Sequence, residues 1–410
     1  SLPYLAYGTS HTGIHKNRRK KYHETINENY GWDYGDYILR ETASCILSCI
    51  SDSQKVYKIA SDEFIILDTT SSDMTTASNL YDHICKHINQ FIEENNFAAV
   101  FTISAGILPL PDLSRTGYEE IIKRTDFSLT VAKQHGRNCC YIFQEEEYQN
   151  FLRIREITNE LHSAVNHDFR GFSIFFQPIM DIRQDKLTGA EVLIRFASKK
   201  FGQISPAEFI PLLETSGLII PTGRWFIREA ITACRKIRMQ IPDFRVNINV
   251  SQVQITKSDV ITDLISETNT SGLPLTAIAI ELTESILLEK NEKAQNFLKE
   301  LKQAGMQLAL DDFGTGYSNF HYLSELHPDI VKIDRGFTSK AITDKKEYYL
   351  LNQFSNMIHN LGLKLCIEGI ETEDELQKMK LLKPDYCQGF YWGRSCPYDE
   401  FRKHFVDVDR

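Results

Sequence analysis

Two adjacent aspartates, Asp311 and Asp312, stand at the end of a short apolar run in the segment 307–319, QLALDDFGTGYSN. The run at 307–310 is typical of a buried strand, and glycines follow two and four residues after the second aspartate. Charged side chains removed from water need partners or metal ions, because an unpaired buried charge costs several kcal/mol or more. Capping of a following helix is the structural alternative, since aspartate is a common N-cap residue. The ends of the other strands decide between these interpretations.

Similar polar interruptions occur in most of the apolar runs that follow residue 170. In chain order these polar residues are Glu191 and Arg195, Asn249, Glu281 and Glu284, Asp311 and Asp312, Lys332 and Asp334, Glu368 and Glu371, and Gln388. A satisfied core polar residue or a helix cap explains any one of them. Their recurrence at seven strands favours one shared site, because the active sites of barrel enzymes lie at the carboxyl ends of the strands.

The residue types at these strand ends restrict the chemistry of the site. The candidate oxygen ligands are Glu191, Asn249, Glu281, Asp311 and Asp312. Without a His or Cys cluster among them, they suit Mg²⁺ or Mn²⁺ rather than Zn²⁺. Adjacent aspartates can serve two metal ions about 3.5–4 Å apart, and Lys332 and Arg195 would place positive charge against phosphate oxygens. The residues therefore predict metal-dependent hydrolysis of a phosphate ester.

The elements that must position these residues alternate between short apolar runs and amphipathic stretches, which predicts repeated strand and helix units. Eight strands are predicted, at 173–182, 188–196, 244–251, 278–285, 307–313, 329–337, 364–371 and 386–393. The stretch 293–305 is one of the helices between them, with Gly305 as its stop signal. Eight strands at this spacing predict an α/β fold, a TIM-type (β/α)8 barrel.

The segment before the barrel has a different pattern and predicts a smaller α+β domain. Strand-like runs at 55–68 and 96–108 lie among helical stretches, without eightfold alternation. The charged stretch 145–165 has apolar residues at helical spacing and predicts a connecting helix; a signalling or dimerising helix is the alternative. We expect domains at 1–144 and 171–410, joined by a connector at 145–170.

Composition restricts partners and location. The net charge of -9 argues against a nucleic-acid polymer as partner, and we interpret the basic patch 16–21 as a solvated surface. Nine scattered cysteines indicate a reducing compartment, and no apolar run is long enough for a membrane helix. We expect a soluble, cytoplasmic chain; because it begins at Ser1, the alternative is the cytoplasmic part of a larger membrane-bound or sensor-linked protein.

The polar strand ends occur within recognisable motifs. They are AEVLIR (190–195), NVS (249–251), ELTES (281–285), LDDFGTGYSN (310–319), KID (332–334), EGIET (368–372) and QGF (388–390). In this order they resemble the signature motifs of EAL-domain cyclic-di-GMP phosphodiesterases. Val192 stands where that family usually has alanine. The change removes no ligand, so we expect it to be tolerated.

The resemblance implies a metal site and a reaction. It implies two Mg²⁺ or Mn²⁺ ions, the first held by Glu191, Asn249, Glu281 and Asp311, the second by Asp311, Asp312 and Glu368. Glu368 is alternatively a water-orienting group, and Lys332 would hold and polarise the attacking water. The implied reaction is that of a cyclic-guanylate-specific phosphodiesterase, which opens cyclic di-GMP to linear pGpG.

The resemblance also implies roles around this centre. Gln177 and Arg195 would contact the dinucleotide, Gln388 and Glu371 would support substrate binding, and Glu284 would fix the loop after Asp312. The resemblance implies no role for Asp334, which we interpret as structural. A homodimer and a role in bacterial second-messenger signalling are implied at the level of the family.

The amino-terminal segments 26–39, 60–64, 102–107 and 131–138 resemble the GGDEF diguanylate-cyclase domain. Ala60 and Ser61 replace the two glycines of its name motif, and their Cβ atoms would crowd a turn that must approach a nucleotide. The inhibitory RxxD motif is also missing, since SDSQ occupies 51–54. We therefore expect a degenerate domain without cyclase activity. The presence of Asp62, Glu63 and Lys133 leaves open GTP binding as a regulatory signal, beside simple packing or dimerisation.

Two other functions compete with hydrolysis. A receptor would bind cyclic di-GMP without cutting it, and a scaffold would consist of two retired enzymes. Loss of metal ligands would favour the receptor, but the ligand set is complete. The retained acids weigh against the scaffold, because buried acids without a metal ion would destabilise the barrel.

Overall fold

The computed structural model describes residues 4–12, 32–60, 62–68, 74–95, 101–110, 117–283, 292–314 and 327–407. The chain divides into two compact units, Ser1–Ile154 and Arg155–Arg410. The division falls inside the predicted connecting helix, which spans Glu145–Asn166. None of the described helices has the length and apolar character needed to cross a bilayer.

The amino-terminal unit is an α+β sheet domain, in agreement with the sequence. Its elements are β1 (Tyr4–Thr12), α1 (Trp32–Cys49), β2 (Gln54–Ala60), β3 (Glu63–Asp68), α2 (Met74–Glu94), β4 (Phe101–Pro109), α3 (Tyr118–Gln134) and β5 (Cys140–Ile142). The sheet order is β2-β3-β1-β4-β5, and only the β4–β5 pair is parallel. The predicted strand at 55–68 is a hairpin, in which Ala60 pairs with Glu63 across the turn.

The second unit begins within α4 (Glu145–Asn166) and contains the barrel. Its strands are β6 (Phe172–Asp181), β7 (Lys186–Ser198), β8 (Gly202–Ile204), β9 (Arg245–Asn249), β10 (Ile278–Thr283), β11 (Gln307–Phe313), β12 (Ile330–Ile333), β13 (Lys364–Ile367), β14 (Tyr386–Cys387) and β15 (Cys396–Pro397). Its further helices are α5 (Pro206–Ser216), α6 (Ile219–Arg238), α7 (Gln252–Lys257), α8 (Val260–Ser271), α9 (Glu292–Ala304), α10 (Arg335–Thr343), α11 (Lys345–Asn360), α12 (Glu373–Lys380) and α13 (Tyr398–Phe401). A short 3₁₀ turn (Leu275–Ala277) and a π-helical turn (Arg402–Val406) complete it.

Eight strands close the predicted barrel in the order β6-β14-β13-β12-β11-β10-β9-β7, and β7 pairs again with β6. The strand β6 is antiparallel to both of its barrel neighbours, whereas the other barrel pairs are parallel. This departure from an all-parallel barrel follows from the tight turn between β6 and β7, which is too short for a crossover helix.

Three predicted strands are at least four residues too long at their carboxyl ends. The predicted strand 329–337 ends at Ile333, because Asp334 caps α10 by accepting a 2.7 Å hydrogen bond from the Gly336 amide. The predicted strand 364–371 ends at Ile367, and 386–393 ends at Cys387. Of the residues beyond these strand ends, 335–337 belong to α10, whereas 368–371 and 388–393 form loops.

Candidate active site

A buried lysine lies at the centre of the polar strand ends. Lys332 on β12 is 1% exposed, and four carboxylates surround its Nζ atom. The distances from Nζ are 2.8 Å to Glu281 Oε1, 2.8 Å to Glu368 Oε1, 3.0 Å to Asp311 Oδ1 and 3.4 Å to Glu191 Oε2. One ammonium with three N–H donors therefore holds together carboxylates from four other strand ends.

Amide side chains form a second set of contacts to the same carboxylates. Asn249 Nδ2 donates to Glu191 Oε1 at 3.0 Å and to Glu281 Oε2 at 3.2 Å. Asn247 Nδ2 donates to Glu281 Oε1 at 2.8 Å, and Gln388 Nε2 donates to Glu191 Oε2 at 2.7 Å. Glu191 and Glu281 are therefore fixed in orientation by side chains from neighbouring strands.

Strand register explains why these residues meet. In the parallel ladder, Asn249 pairs with Glu281 and Thr283 pairs with Asp311. Glu368 follows directly after the last residue of β13, next to Lys332 on β12. Gly369 after it has a φ of +76°, and an added Cβ atom would lie 2.4 Å from Arg335 Cγ. Glycine is therefore required at this position, where the chain turns and places Glu368 over the lysine.

The electrostatics of the site reflect an excess of negative charge. Burial lowers the pKa of Lys332, but the charges of Glu191, Glu281, Glu368 and Asp311 outweigh it and raise that pKa well above the usual range. Burial and the nearby acids raise the pKa of Glu281 well above normal, and that of Glu368 to about 8. Glu191 has a lowered pKa, because Lys332 and the amides of Gln388 and Asn249 outweigh its burial. One ammonium does not neutralise four carboxylates, so the site has the charge to accept cations.

The geometry of the acids fits divalent cations. Oxygen atoms of Glu191, Glu281 and Asp311 lie within 4.8 Å of one another, and so do those of Asp311, Asp312 and Glu368. Asp311 belongs to both groups. The buried Oδ1 atom of Asp311 lies 3.0 Å from Lys332 Nζ but without the angles of a hydrogen bond, and the buried Oε1 atom of Gln388 accepts no hydrogen bond from the part of the chain that the structure describes. Such oxygen-only groups with unsatisfied buried acceptors suit Mg²⁺ or Mn²⁺.

Asp312 has an unusual backbone conformation beside Asp311. Its φ is +54°, in the left-handed region that non-glycine residues rarely adopt, and the β11–β12 register shifts between Leu310 and Phe313. The irregularity turns Asp312 outward while Asp311 stays buried. Burial and the adjacent Asp311 charge raise the pKa of Asp312. This strained bulge allows two consecutive residues of one strand to reach the same site.

The remaining predicted site residues lie around this centre, with one exception. Gln177, Gln388 and Glu371 line a cavity of about 250 Å³ together with Glu191 and Glu368. Arg195 lines a second cavity of about 630 Å³ that also reaches Asn249 and Glu281. Glu284 lies outside the described residues.

Arg195 and Glu371 do not contact the central lysine. The guanidinium of Arg195 donates from Nη2 to Ser395 Oγ at 2.9 Å and lies over the Phe175 ring, 5.5 Å from its centroid. Glu371 forms an ion pair with Arg335. Both arginines stand beside cavities, where they add positive charge next to the acidic centre.

Sequence reasoning missed Asn247 and Arg335. Asn247 is a buried amide inside β9, two residues before Asn249 and therefore on the same face of the strand. That period-two spacing was the available signal. Arg335 follows Asp334 directly, but nothing in its sequence context indicates that it pairs with Glu371 or that it lies 5.6 Å from the Phe390 ring centroid.

Val192 lies on the opposite face of β7 from Glu191 and also lines the cavity of about 630 Å³. It is fully buried in the apolar layer where Ile248, Phe226 and Ile227 also pack. Replacing Val192 with alanine should reduce the free energy of unfolding by about 2 kcal/mol, because two methyl groups are lost and a small cavity remains. Any turnover at the site should change less than about threefold, which denaturant unfolding and kinetic assays of the same preparation would measure. A large loss of turnover with unchanged stability would contradict this assignment.

Both units of the chain match known protein families. The family profile described as EAL domain matches residues 158–395, more than half of the chain. The profile described as diguanylate cyclase, GGDEF domain matches residues 20–139. Both resemblances seen in the sequence are thus confirmed at the level of the family.

Curated relatives align with most of this chain. The chain is 27% identical over 381 residues to the bifunctional diguanylate cyclase/cyclic di-GMP phosphodiesterase MucR of Pseudomonas aeruginosa, covering 92% of this chain and 55% of that protein. It is 28% identical over 380 residues to the cyclic di-GMP phosphodiesterase PdeR of Escherichia coli, covering 93% of this chain and 57% of that protein. The chain spans about half the length of these relatives.

Solved structures agree with the barrel. The PaMucR phosphodiesterase in complex with c-di-GMP superposes with a TM-score of 0.55 at 28% identity, covering 60% of this chain and 99% of that chain. The EAL-domain protein from Listeria monocytogenes gives a TM-score of 0.53 at 27% identity, covering 61% and 98%. The barrel with its acidic centre, the two profile matches and these relatives together show that the chain belongs to the EAL-domain family and has a GGDEF-type domain ahead of its barrel.

Proposed function

We propose that the chain hydrolyses cyclic di-GMP to linear pGpG at the site around Lys332, with two Mg²⁺ or Mn²⁺ ions. The observation that carries this proposal is the convergence of four carboxylates on one fully buried lysine at the mouth of an EAL-family barrel. Two relatives whose names include cyclic di-GMP phosphodiesterase, and one neighbour in complex with c-di-GMP, support the substrate.

Each of the two acidic groups would hold one of the proposed cations. Glu191, Glu281 and Asp311 would hold one, with Asn249 turning its amide oxygen toward it, and Asp311, Asp312 and Glu368 would hold the other. Bound divalent cations would neutralise the acids and polarise the phosphate. Lys332 would keep the four carboxylates at the correct separation and, when cations release it from some of them, would orient the attacking water.

The two cavities, which share Leu193 in their linings, would receive the two halves of the substrate. The larger, of about 630 Å³, presents Arg195, and the smaller presents Gln177, Gln388 and Arg335. Arginine binds phosphate strongly through charge-assisted hydrogen bonds. These side chains would therefore fix the dinucleotide across the acidic centre, with Glu371 holding Arg335 in place.

The primary test is incubation of the purified chain with cyclic di-GMP and Mg²⁺ or Mn²⁺, with products resolved by chromatography. We expect pGpG to appear with metal and to disappear with a chelator. Tight binding of cyclic di-GMP without cleavage would instead establish the receptor, and neither binding nor cleavage would support the scaffold.

Replacing Arg195 with alanine should raise the KM for cyclic di-GMP about 10- to 100-fold, because a phosphate contact is lost while the metal-binding acids remain. Metal affinity measured by titration should stay unchanged. The matched control is Arg224→Ala, which removes an arginine from an exposed ion pair with Asp263. An unchanged KM in the Arg195 variant would show that Arg195 does not bind the substrate.

For the amino-terminal unit, we propose that it lacks cyclase activity and binds GTP as a regulator. Ala60 and Ser61, which replace the two glycines of the name motif, support the first part, and Asp62, Glu63 and Lys133 support the second. We also propose domain boundaries at 144 and 171, a homodimer and a cytoplasmic location.

Cyclase activity is best measured in the Asp311→Asn variant, which should not consume the product. With GTP and Mg²⁺, this variant should accumulate no cyclic di-GMP, because the Cβ atoms at 60 and 61 restrict the turn that must approach the nucleotide. Accumulation would show a working cyclase. In a separate assay, GTP at physiological concentrations should change the rate at which the unaltered chain hydrolyses cyclic di-GMP. A rate that does not change with GTP concentration would contradict the regulatory proposal.

A further inference from the structure

Three metal-binding side chains lie together in the amino-terminal unit, outside the barrel. Cys49 is the last residue of α1, and His83 and His87 lie one turn apart on α2. Their ligand atoms are all within 4.8 Å of one another. The two imidazole rings are 4.7 Å apart at an interplanar angle of 88°. Residues four apart on a helix share one face, so both rings can turn toward the same point beside the sulfur.

The packing of α1 against α2 fixes the backbone of this cluster. Ile46, Ile84 and Ile88 are buried in the same apolar core, one turn or one residue away from the three side chains. Cys49 and His87 are half-buried at the edge of that core, and His83 is exposed. The cluster is therefore held by the fold on one side and open to solvent on the other.

We propose that Cys49, His83 and His87 form a Zn²⁺ site in the amino-terminal unit. One thiolate and two imidazoles are the ligand types that Zn²⁺ prefers, in contrast to the oxygen-only acids of the barrel. Zn–N distances of about 2.0–2.1 Å and a Zn–S distance of about 2.3 Å put such ligands about 3.3–3.6 Å apart. A movement of about 1 Å by the exposed His83 and its neighbours reaches that geometry.

The proposed site leaves one coordination position for water or an external ligand, because three protein ligands face an open side. Bound Zn²⁺ would tie the carboxyl end of α1 to α2. The amino-terminal unit would then respond to a transition metal, through a site that is chemically distinct from the acidic centre of the barrel. The inference does not depend on the proposed phosphodiesterase activity.

The test uses Co²⁺ as a spectroscopic substitute for Zn²⁺ in the full chain, with excess Mg²⁺ to occupy the acids of the barrel. Thiolate coordination gives a near-ultraviolet charge-transfer band that oxygen ligands do not give. We expect one equivalent of this band, displaced by one equivalent of Zn²⁺. The band should be lost in Cys49→Ser and strongly weakened in His83→Ala and His87→Ala.

The matched control is Cys85→Ser. Cys85 lies between the two histidines in sequence but faces away from them and hydrogen-bonds with Tyr81. This variant should keep the band and the Zn²⁺ affinity, whereas each variant of the cluster should weaken Zn²⁺ binding at least about 100-fold in competition with a chromophoric chelator. Because His83 is exposed, the metal-free His83→Ala variant should have the same melting temperature as the metal-free unaltered chain. This variant therefore keeps the test valid if Cys49→Ser is unstable.

Three results would overturn the proposal: absence of the band in the unaltered chain, its persistence in the folded His83→Ala variant, or its loss in Cys85→Ser.

Discussion

Replacing Lys332 with methionine should reduce cyclic di-GMP turnover by about 10³-fold and also destabilise the barrel in the presence of a chelator. The loss of turnover follows because the ammonium that organises Glu191, Glu281, Asp311 and Glu368 is removed from a buried site. The loss of stability follows because the buried carboxylates lose their cation, which costs about 3–5 kcal/mol. Kinetics and thermal melting of the same variant would measure both effects.

The destabilisation by Lys332→Met should depend on pH in a defined direction. Lys332 keeps the pKa of Glu191 below its usual value, so without the lysine the folded-state pKa values of the acids rise. A group whose folded-state pKa is raised loses stabilisation as the pH increases through that value. The variant should therefore be less stable, relative to the unaltered chain, at pH 8 than at pH 6. Added Mn²⁺ should recover part of the stability at pH 8, because it supplies positive charge to the same acids.

A matched control for this variant is Lys364→Met. Lys364 is the first residue of the adjacent strand β13 and donates a 2.8 Å hydrogen bond to the Tyr386 hydroxyl, at the opposite end of the strand from Glu368. This control should keep its turnover and lack the pH-dependent loss of stability. Equal effects in both lysine variants would show that the barrel responds in the same way to the loss of any strand lysine. Lys332 would then have no specific catalytic role.

Replacing Asp311 with asparagine should abolish turnover, with a decrease of at least about 10³-fold, while the fold is kept. Asp311 belongs to both acidic groups, so its loss weakens both proposed cation positions at once. In chelator the variant should be as stable as the unaltered chain or more stable. The Asp311 charge contributes to the raised pKa values of Glu281 and Glu368, and its removal relieves that repulsion.

The control for the aspartate variant is Asp344→Asn. Asp344 caps α11 by accepting a hydrogen bond from the Lys346 amide, and asparagine is an equally good N-cap residue. We expect normal turnover and normal Mn²⁺ binding from this control. Calorimetric titration should show weaker Mn²⁺ binding only in Asp311→Asn. Turnover within tenfold of normal in that variant would exclude Asp311 as a shared ligand.

The two central variants separate the roles of charge and ligation. Lys332→Met should lose stability in chelator and regain it with Mn²⁺, whereas Asp311→Asn should lose Mn²⁺ binding without losing stability. The difference arises because one change removes the central ammonium of Lys332 and the other removes one of the carboxylates that surround it. Melting curves with and without Mn²⁺ for both variants would distinguish them even if turnover were absent in each.

The sequence by itself determined the local elements and the kind of chemistry. Apolar runs with a polar end identified the barrel strands, and β11 has the predicted bounds of 307–313. Oxygen-bearing side chains at successive strand ends indicated hard cations, because ligand type depends on residue identity alone. The order of the motifs identified the family of the barrel. The strands that precede Asp334 and Gly369 were predicted too long. Asp334 is a helix cap and Gly369 has a positive φ, and both features are visible only in the backbone geometry.

Tertiary structure alone decided which of these residues meet. Gln388 and Glu191 are 197 residues apart, and their hydrogen bond exists only because β14 and β7 both pair with the antiparallel strand β6 when the barrel closes. The same applies to the four carboxylates on Lys332 and to Cys49 beside His83 and His87. Periodicity along a chain encodes which face of an element is buried, but distances between elements depend on register, closure and helix packing. These long-range constraints turn a row of polar strand ends into one charged centre.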